Sequence, residues 1–384
     1  MKIMIAVTDS YCANLIRGQA AFLHDHGLGV LLVSGDGPEI RHLAKTERCR
    51  SIAVDFAKDI SVIRDLYCLY RIIILISKEK PEIVNAGNPK PGLLFAIALL
   101  LFPRTRFVFT LRGLRSDTMP GIKGTIVRFC EYLSCRLADK VIVISPSLRE
   151  HAIQKGITSL EKSLVIGSGS SNGIDTKRFS KSKELLLKAK RFRSRLKIGE
   201  GTFVFLYIGR VAKDKGINEM CKAFTALNDE NATLIIAGPP EYTDPLEDDT
   251  RQLIARNNNI IQLGKVKTVE ILYAAANALI LFSHREGFGN VVMEAAAMGT
   301  PSIVADIPGL RDTVINYYTG IHVDKKNTVA LQHAMRFYIK EKERLLPLHG
   351  ENAALRARKC FDRSHIWQGQ LNLYKMLLKK ERPR

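Results

Sequence analysis

Short runs of consecutive apolar residues alternate along this chain with longer stretches in which apolar positions recur every three or four residues. The short runs have the length of strands, and an apolar run without alternation belongs to a strand covered on both faces. A first set of strands is predicted at Ile3–Val7, Gly29–Val33, Ile83–Asn85, Phe107–Thr110 and Val141–Ser145. A second set follows at Phe203–Ile208, Thr233–Ala237, Ile260–Leu263, Ala278–Phe282, Pro301–Ala305 and Gly320–Val323. Strands separated by helical stretches predict βαβ units, so each set reads as a parallel, doubly wound α/β sheet with helices on both faces. At 384 residues the chain exceeds the size of one core, and the Gly/Ser/Asn-rich run 167–175 is the predicted junction between two domains. The run Leu93–Phe102 is too short to span a bilayer and reads as a buried helix, with shallow membrane insertion as its alternative. The opening Met1–Val7 is too short an apolar run for a signal peptide and reads as a buried strand.

Composition adds one strong constraint. Hydrophobic and charged fractions of 46% and 25% are those of an ordinary globular protein, but a net charge of +20 calls for an anionic partner. Nucleic acid, a membrane surface and phosphorylated substrates all qualify. The excess is concentrated between Ser171 and Glu200, where ten lysines and arginines face only Asp175, Glu184 and Glu200. Glycine-flanked aromatics that would stack bases are absent there, so a basic amphipathic helix on a membrane or phosphate-rich surface fits better than base readout. A solvated helix face near the domain junction is the plainer alternative. The seven cysteines are scattered, with no CxxC and no metal-ligand spacing, and read as reduced thiols.

The candidate chemistry lies in the second half. Glu286-Gly-Phe-Gly-Asn290 opens into a short apolar helix carrying Glu294, which Gly299 can end and Pro301 cannot continue. Glycines allow close backbone approach, and a helix N-terminus favours a phosphate. Two carboxylates at this spacing can grip separate polyols of one ligand. The strand Phe203–Ile208 runs into Gly209-Arg210 and then Lys215, a guanidinium fork and an ammonium suited to a diphosphate. The strand ending in Gly238 is a weaker sign of the same kind. Ligands of such sheets bind beyond the carboxyl ends of the strands, so a cleft between the domains is the expected site.

Glu286 and Glu294 with seven residues between them, Gly209-Arg210 followed by Lys215, and Ser168-Gly-Ser-Ser-Asn172-Gly173-Ile-Asp175 together resemble glycosyltransferase family 4 of the GT-B fold. Asn88-Pro-Lys90-Pro-Gly92, Thr110-Leu-Arg112-Gly113-Leu-Arg-Ser-Asp117 and Val143-Ile-Ser-Pro-Ser-Leu-Arg149-Glu150 are similar to the bacterial members that extend lipid-linked capsular, O-antigen or exopolysaccharide units. The resemblance runs nearly end to end. It implies two Rossmann-like domains facing each other across a cleft: an acceptor-binding domain at 1–170 and a donor-binding domain at 171–361. A final helix at about 362–384, around Trp367–Leu378, would pack back on the first domain. It further implies that Arg210 and Lys215 hold the donor diphosphate, and that Glu286 with the backbone of Gly287, Phe288, Gly289 and Asn290 contacts sugar and phosphates. Glu294 would accept from the ribose, and Gly264-Lys265-Val266 would line the base pocket. The implied reaction is retaining transfer from a UDP-sugar to a polyprenyl-diphosphate-linked glycan, without metal or cofactor, at the inner face of a bacterial cytoplasmic membrane with peripheral contact to its anionic surface. A nucleotide-sugar epimerase or hydrolase of the same fold and a basic nucleic-acid-binding protein are the rival readings, and no nucleic-acid partner is expected.

Two departures from the family's pattern matter. Arg112 stands where relatives usually carry a His that faces the donor sugar, and it is expected to contact sugar or diphosphate with Asp117 orienting it. Lys90, Arg112 and Asp117 are also the candidate acceptor contacts. Asn277 stands where relatives commonly have Asp, and no functional consequence is expected, since an amide keeps the turn-forming side chain.

Overall fold

The computed structural model describes residues 1–56 and 61–379. The basic end Lys379–Arg384, from whose charge electrostatic attachment to an anionic surface is also expected, lies outside the described residues from Lys380 on. Two compact units divide the chain, one formed by 1–173 with 363–384 and the other by 174–362.

In the first unit strands and helices alternate: β1 (Lys2–Ala6), α1 (Gln19–Asp25), β2 (Gly29–Ser34), α2 (Pro38–Thr46), β3 (Arg50–Ala53), α3 (Val62–Glu79), β4 (Ile83–Gly87), α4 (Pro89–Ala98), β5 (Arg106–Leu111), α5 (Gly121–Leu137), β6 (Lys140–Val143), α6 (Pro146–Gln154) and β7 (Ser163–Leu164). The strands form one parallel sheet in the order β3-β2-β1-β4-β5-β6-β7. The connections run one way through β1, β2 and β3 and the other way from β4, so the winding reverses between β1 and β4. There the carboxyl ends of neighbouring strands splay apart and leave room for a ligand.

The second unit repeats the scheme with α7 (Lys183–Arg195), β8 (Phe203–Ile208), α8 (Ile217–Thr225), β9 (Ala232–Ala237), α9 (Asp248–Arg256), β10 (Ile260–Gly264), α10 (Val269–Ala275), β11 (Ala278–Leu281), α11 (Asn290–Ala297), β12 (Ser302–Ala305), β13 (Gly320–Val323), α12 (Thr328–Lys340) and α13 (Leu345–Phe361). Its parallel sheet has the order β10-β9-β8-β11-β12-β13, with the reversal between β8 and β11. Asn277 caps this junction: its side-chain oxygen accepts from Val204 N at 2.8 Å and its own N–H donates to Val204 O at 2.8 Å. A neutral amide does all that the position requires. The basic helix α7 starts at Ser182, whose hydroxyl accepts from Leu185 N, and packs against α10. Much of its charge is used locally, since Lys188 pairs with Glu184, Lys190 with Glu200, and Arg193 donates to the carbonyl oxygens of Ala275 and Gly199.

The last helix, α14 (Arg363–Lys379), belongs to the first unit and lies against α1. Ile366, Leu371, Tyr374 and Leu377 join Ile3, Ile5, Leu23 and Leu32 in one buried cluster. Its polar atoms are also satisfied inside. Trp367 Nε1 donates to Asn172 Oδ1 at 2.7 Å, and Gln19 donates to Gln370. Asn85 Nδ2 donates to the Tyr374 hydroxyl at 2.7 Å, while Thr110 Oγ1 donates to Asn85 Oδ1 at 2.8 Å. This chain of bonds joins α14 to β4 and β5.

No helix among the described residues is long and apolar enough to cross a membrane. Ala98 is buried as the apolar run 93–102 requires, but Leu100 and Leu101, in a 3-10 turn after α4, are exposed. Tyr374→Phe leaves the buried Asn85 amide without its acceptor, which costs about 1–3 kcal/mol. The expected result is a lower urea midpoint for this variant than for a control Phe at the exposed Tyr11; equal midpoints would show that the chain of bonds contributes nothing.

Candidate functional site

The reversal between β8 and β11 gathers most of the candidate residues of the second unit. After β8 the backbone passes Gly209 and Arg210 and makes a 3-10 turn at Lys213–Lys215. Gly216 closes that turn with φ of +68°, and a Cβ there would lie 2.1 Å from Phe282 O, so only glycine lets the turn settle on the end of β11. This packing delivers Lys215 to the loop that follows β11. Its Nζ lies 2.6 Å from Glu286 Oε1, which also accepts from Ser283 Oγ at 3.1 Å. Both side chains are largely covered, so salt and water screen this pair less than a pair at the surface.

Arg210 points elsewhere. Its guanidinium donates to Glu241 Oε2 at 2.8 Å and lies 3.8 Å from Asp214 Oδ2. Burial alone would lower its pKa, but the bond to Glu241 and the Asp214 charge outweigh that and raise it. Glu241 is held down to about 2 by its bonds to Thr243 and Arg210. Both cations of the expected diphosphate clamp are therefore held by carboxylates, Lys215 by Glu286 and Arg210 by Glu241.

The glycine loop enters α11 through Gly289, whose φ of +76° favours glycine and which supplies no side-chain cap. Phe288 turns inward against Phe361 at 5.4 Å between ring centroids, so only its backbone faces the loop's open side. The helix ends as its sequence predicts: Gly299 N donates to Ala296 O and Thr300 N to Ala295 O, a Schellman closure. Glu294, in the second turn of α11, accepts from the Tyr273 hydroxyl at 2.7 Å. Burial raises its carboxyl to about 7, against the opposing pull of that hydrogen bond and of the Arg178 charge. Arg178 is bonded in turn to Glu270. Val266 is half-buried in the loop after β10, beyond Gly264 with φ of +64°.

In the first unit Arg112 follows β5 and lies across the end of β4. A Cβ on Gly87 would fall 1.5 Å from one of its terminal nitrogens. Its Nε donates to Ser171 Oγ at 2.7 Å and a terminal nitrogen to Asn88 Oδ1 at 3.4 Å. Burial lowers its pKa to about 10, which leaves it cationic at neutral pH. The expectation that Asp117 orients Arg112 is not met. Asp117 sits in a 3-10 turn, Arg115–Thr118, that carries it to α6, where it meets His151 Nε2 at 2.9 Å. Lys90, at the start of α4, pairs with Asp65 of α3 at 2.8 Å. Lys90, Arg112 and Asp117 thus occupy three separate settings.

Tyr273, Glu241, Arg178 and Ser283 escaped the reading of the sequence. Tyr273 lies in an amphipathic helix, where it is indistinguishable from a core aromatic; its one signal is that a buried tyrosine hydroxyl must find a partner.

The glycosyl transferases group 1 model matches residues 188–353 and the Glycosyltransferase Family 4 model residues 9–178. The capsular polysaccharide biosynthesis glycosyltransferase CapM of Staphylococcus aureus is 32% identical over 99% of this chain and 98% of its own length. The chain belongs to glycosyltransferase family 4. Also similar is the UDP-Gal:alpha-D-GlcNAc-diphosphoundecaprenol alpha-1,3-galactosyltransferase of Escherichia coli, 24% identical over 77% of this chain and 75% of its own. Among solved structures, Anabaena Alr3699/HepE in complex with UDP and glucose matches with a TM-score of 0.83 at 20% identity, covering 98% of this chain and all of that one. The fold of this glycosyltransferase is accordingly GT-B.

The raised Glu294 carboxyl makes the stability of this glycosyltransferase depend on pH. Below about 4.5 the carboxyl is protonated in folded and unfolded chains alike and costs nothing. From there to about 7 the unfolded chain ionises first, so stability falls as pH rises, by up to roughly 3 kcal/mol. Glu294→Gln, which keeps an acceptor for Tyr273, is expected to match the parent in urea unfolding near pH 4 and to exceed it near pH 8. A constant difference across that range would place the Glu294 carboxyl in water.

Proposed function

We propose that this glycosyltransferase moves a hexose or N-acetylhexosamine from a UDP-sugar to a hydroxyl of a polyprenyl-diphosphate-linked glycan, in capsular or related surface polysaccharide synthesis. The pairing of Lys215 with Glu286 at the β8–β11 reversal carries the reading. It sets a cation for phosphate and an acceptor for sugar hydroxyls at one point, beyond the carboxyl ends of central strands. The relatives' names support the rest: CapM is named for capsular polysaccharide, and the Escherichia coli enzyme for a UDP-sugar donor and a diphosphoundecaprenol acceptor.

In this reading the incoming diphosphate displaces two carboxylates. Lys215 turns from Glu286 and Arg210 from Glu241 toward phosphate oxygens, and Glu286 is then free to accept from sugar hydroxyls. Glu294, one oxygen fixed by Tyr273, accepts from the ribose, and the Gly264–Val266 loop lines the base. As the bond from C1 to the phosphate oxygen breaks, the two cations neutralise the charge on UDP. The acceptor oxygen bonds to C1 on the same face, and its proton passes to the departing phosphate oxygen, so configuration is retained without a histidine base. Arg112 contributes a cation from the first unit to phosphate or sugar. Because Arg210 and Lys215 carry the compensating charge, the reading includes independence from divalent metal.

Arg210→Ala and Glu294→Ala are each expected to lower kcat/KM by ~10²–10³, while EDTA leaves parental turnover unchanged. Near-normal turnover of Glu294→Ala would misplace the site, and consumption of donor without acceptor would favour a hydrolase or epimerase. Arg112→His is expected to alter turnover or donor choice; if both are unchanged, Arg112 has no part in the reaction. Thermal-shift measurements across UDP- and GDP-sugars identify the donor, since a ligand of the folded state raises Tm by mass action.

A further inference from the structure

Three helices of the first unit, α3, α4 and α5, pack side by side, α4 touching both neighbours. α4 is buried or half-buried along its length, while α3 and α5 each bury one side and expose an apolar stripe on another. On α3 the inward residues are Cys68, Ile72, Leu75 and Ile76, whereas Ile63, Leu66, Tyr70 and Ile74 are exposed, Ile63 by 83%. On α5 the outward stripe is Ile122, Ile126 and Phe129, the last 61% exposed. Between them the end of α4 adds Leu100 and Leu101. A surface helix normally has one apolar stripe and a polar back. An outward apolar set extending over α3, α5 and the turn that ends α4 is of the kind that meets a partner or a membrane.

The charges on these helices select between the two. Arg64 and Arg71 on α3, and Lys123, Arg128 and Arg136 on α5, are exposed. The carboxylates of the same helices are engaged inward: Asp65 with Lys90, buried Glu79 with Lys2 and Arg50, and buried Glu131 with Ser116. A second copy of the chain would bring like charges together in an isologous contact. An anionic bilayer accepts both features at once, taking the apolar stripes into its boundary and pairing the cations with headgroups, with Tyr67, Tyr70 and Tyr132 suited to the interface between.

We propose that the outer face of α3, α4 and α5 is a membrane-docking surface for anionic lipid. It differs from the basic helix α7, much of whose charge is satisfied within the second unit, and it stands apart from the catalytic reading. The test is co-sedimentation of the full chain with vesicles of equimolar phosphatidylglycerol and phosphatidylcholine, against phosphatidylcholine alone. The parent is expected to prefer the anionic vesicles. Leu66→Glu/Phe129→Glu should reduce that partition at least tenfold while its UDP thermal shift stays parental, and Lys188→Ala/Arg191→Ala/Arg195→Ala on α7 should retain it. Absence of parental binding, equal binding to both vesicle types, or parental binding by the double glutamate variant would overturn the proposal. A lipid-free parental dimer in analytical ultracentrifugation that the double variant makes monomeric would also overturn it and assign the face to a second copy.

Discussion

The buried chain of hydrogen bonds from Tyr374 through Asn85 to Thr110 is the interaction on which the first unit depends. A parallel sheet covered on both faces has no water to satisfy a polar side chain in a central strand, so Asn85 requires both partners. One of them comes from the last helix of the chain. The core around β1 and β2 is therefore complete only when α14 has returned, and the first unit is assembled from the two ends of the sequence. The same strands lead directly to Arg112: β4 ends at Gly87, β5 passes Thr110 into Arg112, and the guanidinium rests across the end of β4.

The second unit keeps its charged groups paired with one another. Lys215 and Arg210 are each engaged by carboxylates, and Glu294 lies in an environment that resists ionisation. On the proposed reading such a site would discriminate by exchange: a ligand would have to replace Glu286 at Lys215 with something at least as negative and also offer hydroxyls to the carboxylate it displaces. A diphosphate bearing a sugar would satisfy both demands, whereas a bare polyol or a simple anion would satisfy one.

The sequence made the strongest strands plain, because buried parallel strands are near-continuous runs of Val, Ile, Leu and Phe. Phe203–Ile208 and Gly320–Val323 coincide with the observed strands. The two missed strands are β3, Arg-Ser-Ile-Ala at one edge of its sheet, and β7, two residues at the other; edge strands need little apolar sequence. Glu286, Arg210 and Lys215 could be placed beyond strand ends because they follow predicted strands in glycine-bearing loops, and Glu294 on the helix into which one of those loops opens. Asp117 stands five residues beyond Arg112 in sequence, but the 3-10 turn Arg115–Thr118 carries it to α6 and His151. The outward stripes were illegible for a different reason: a helix apolar on two sides has the same pattern whether its outer side meets protein, lipid or water.

The contact between Arg112 and Gly87 has a consequence for how this chain can change. A smaller group at position 112 leaves space above position 87, so alanine can enter there. With arginine in place the same methyl group meets the guanidinium, which must swing off the end of β4 and loosen its bonds to Ser171 and Asn88. The bare backbone at Gly87 is thus the seat of the Arg112 head group, and a side chain at 87 would re-aim that cation without touching residue 112 itself.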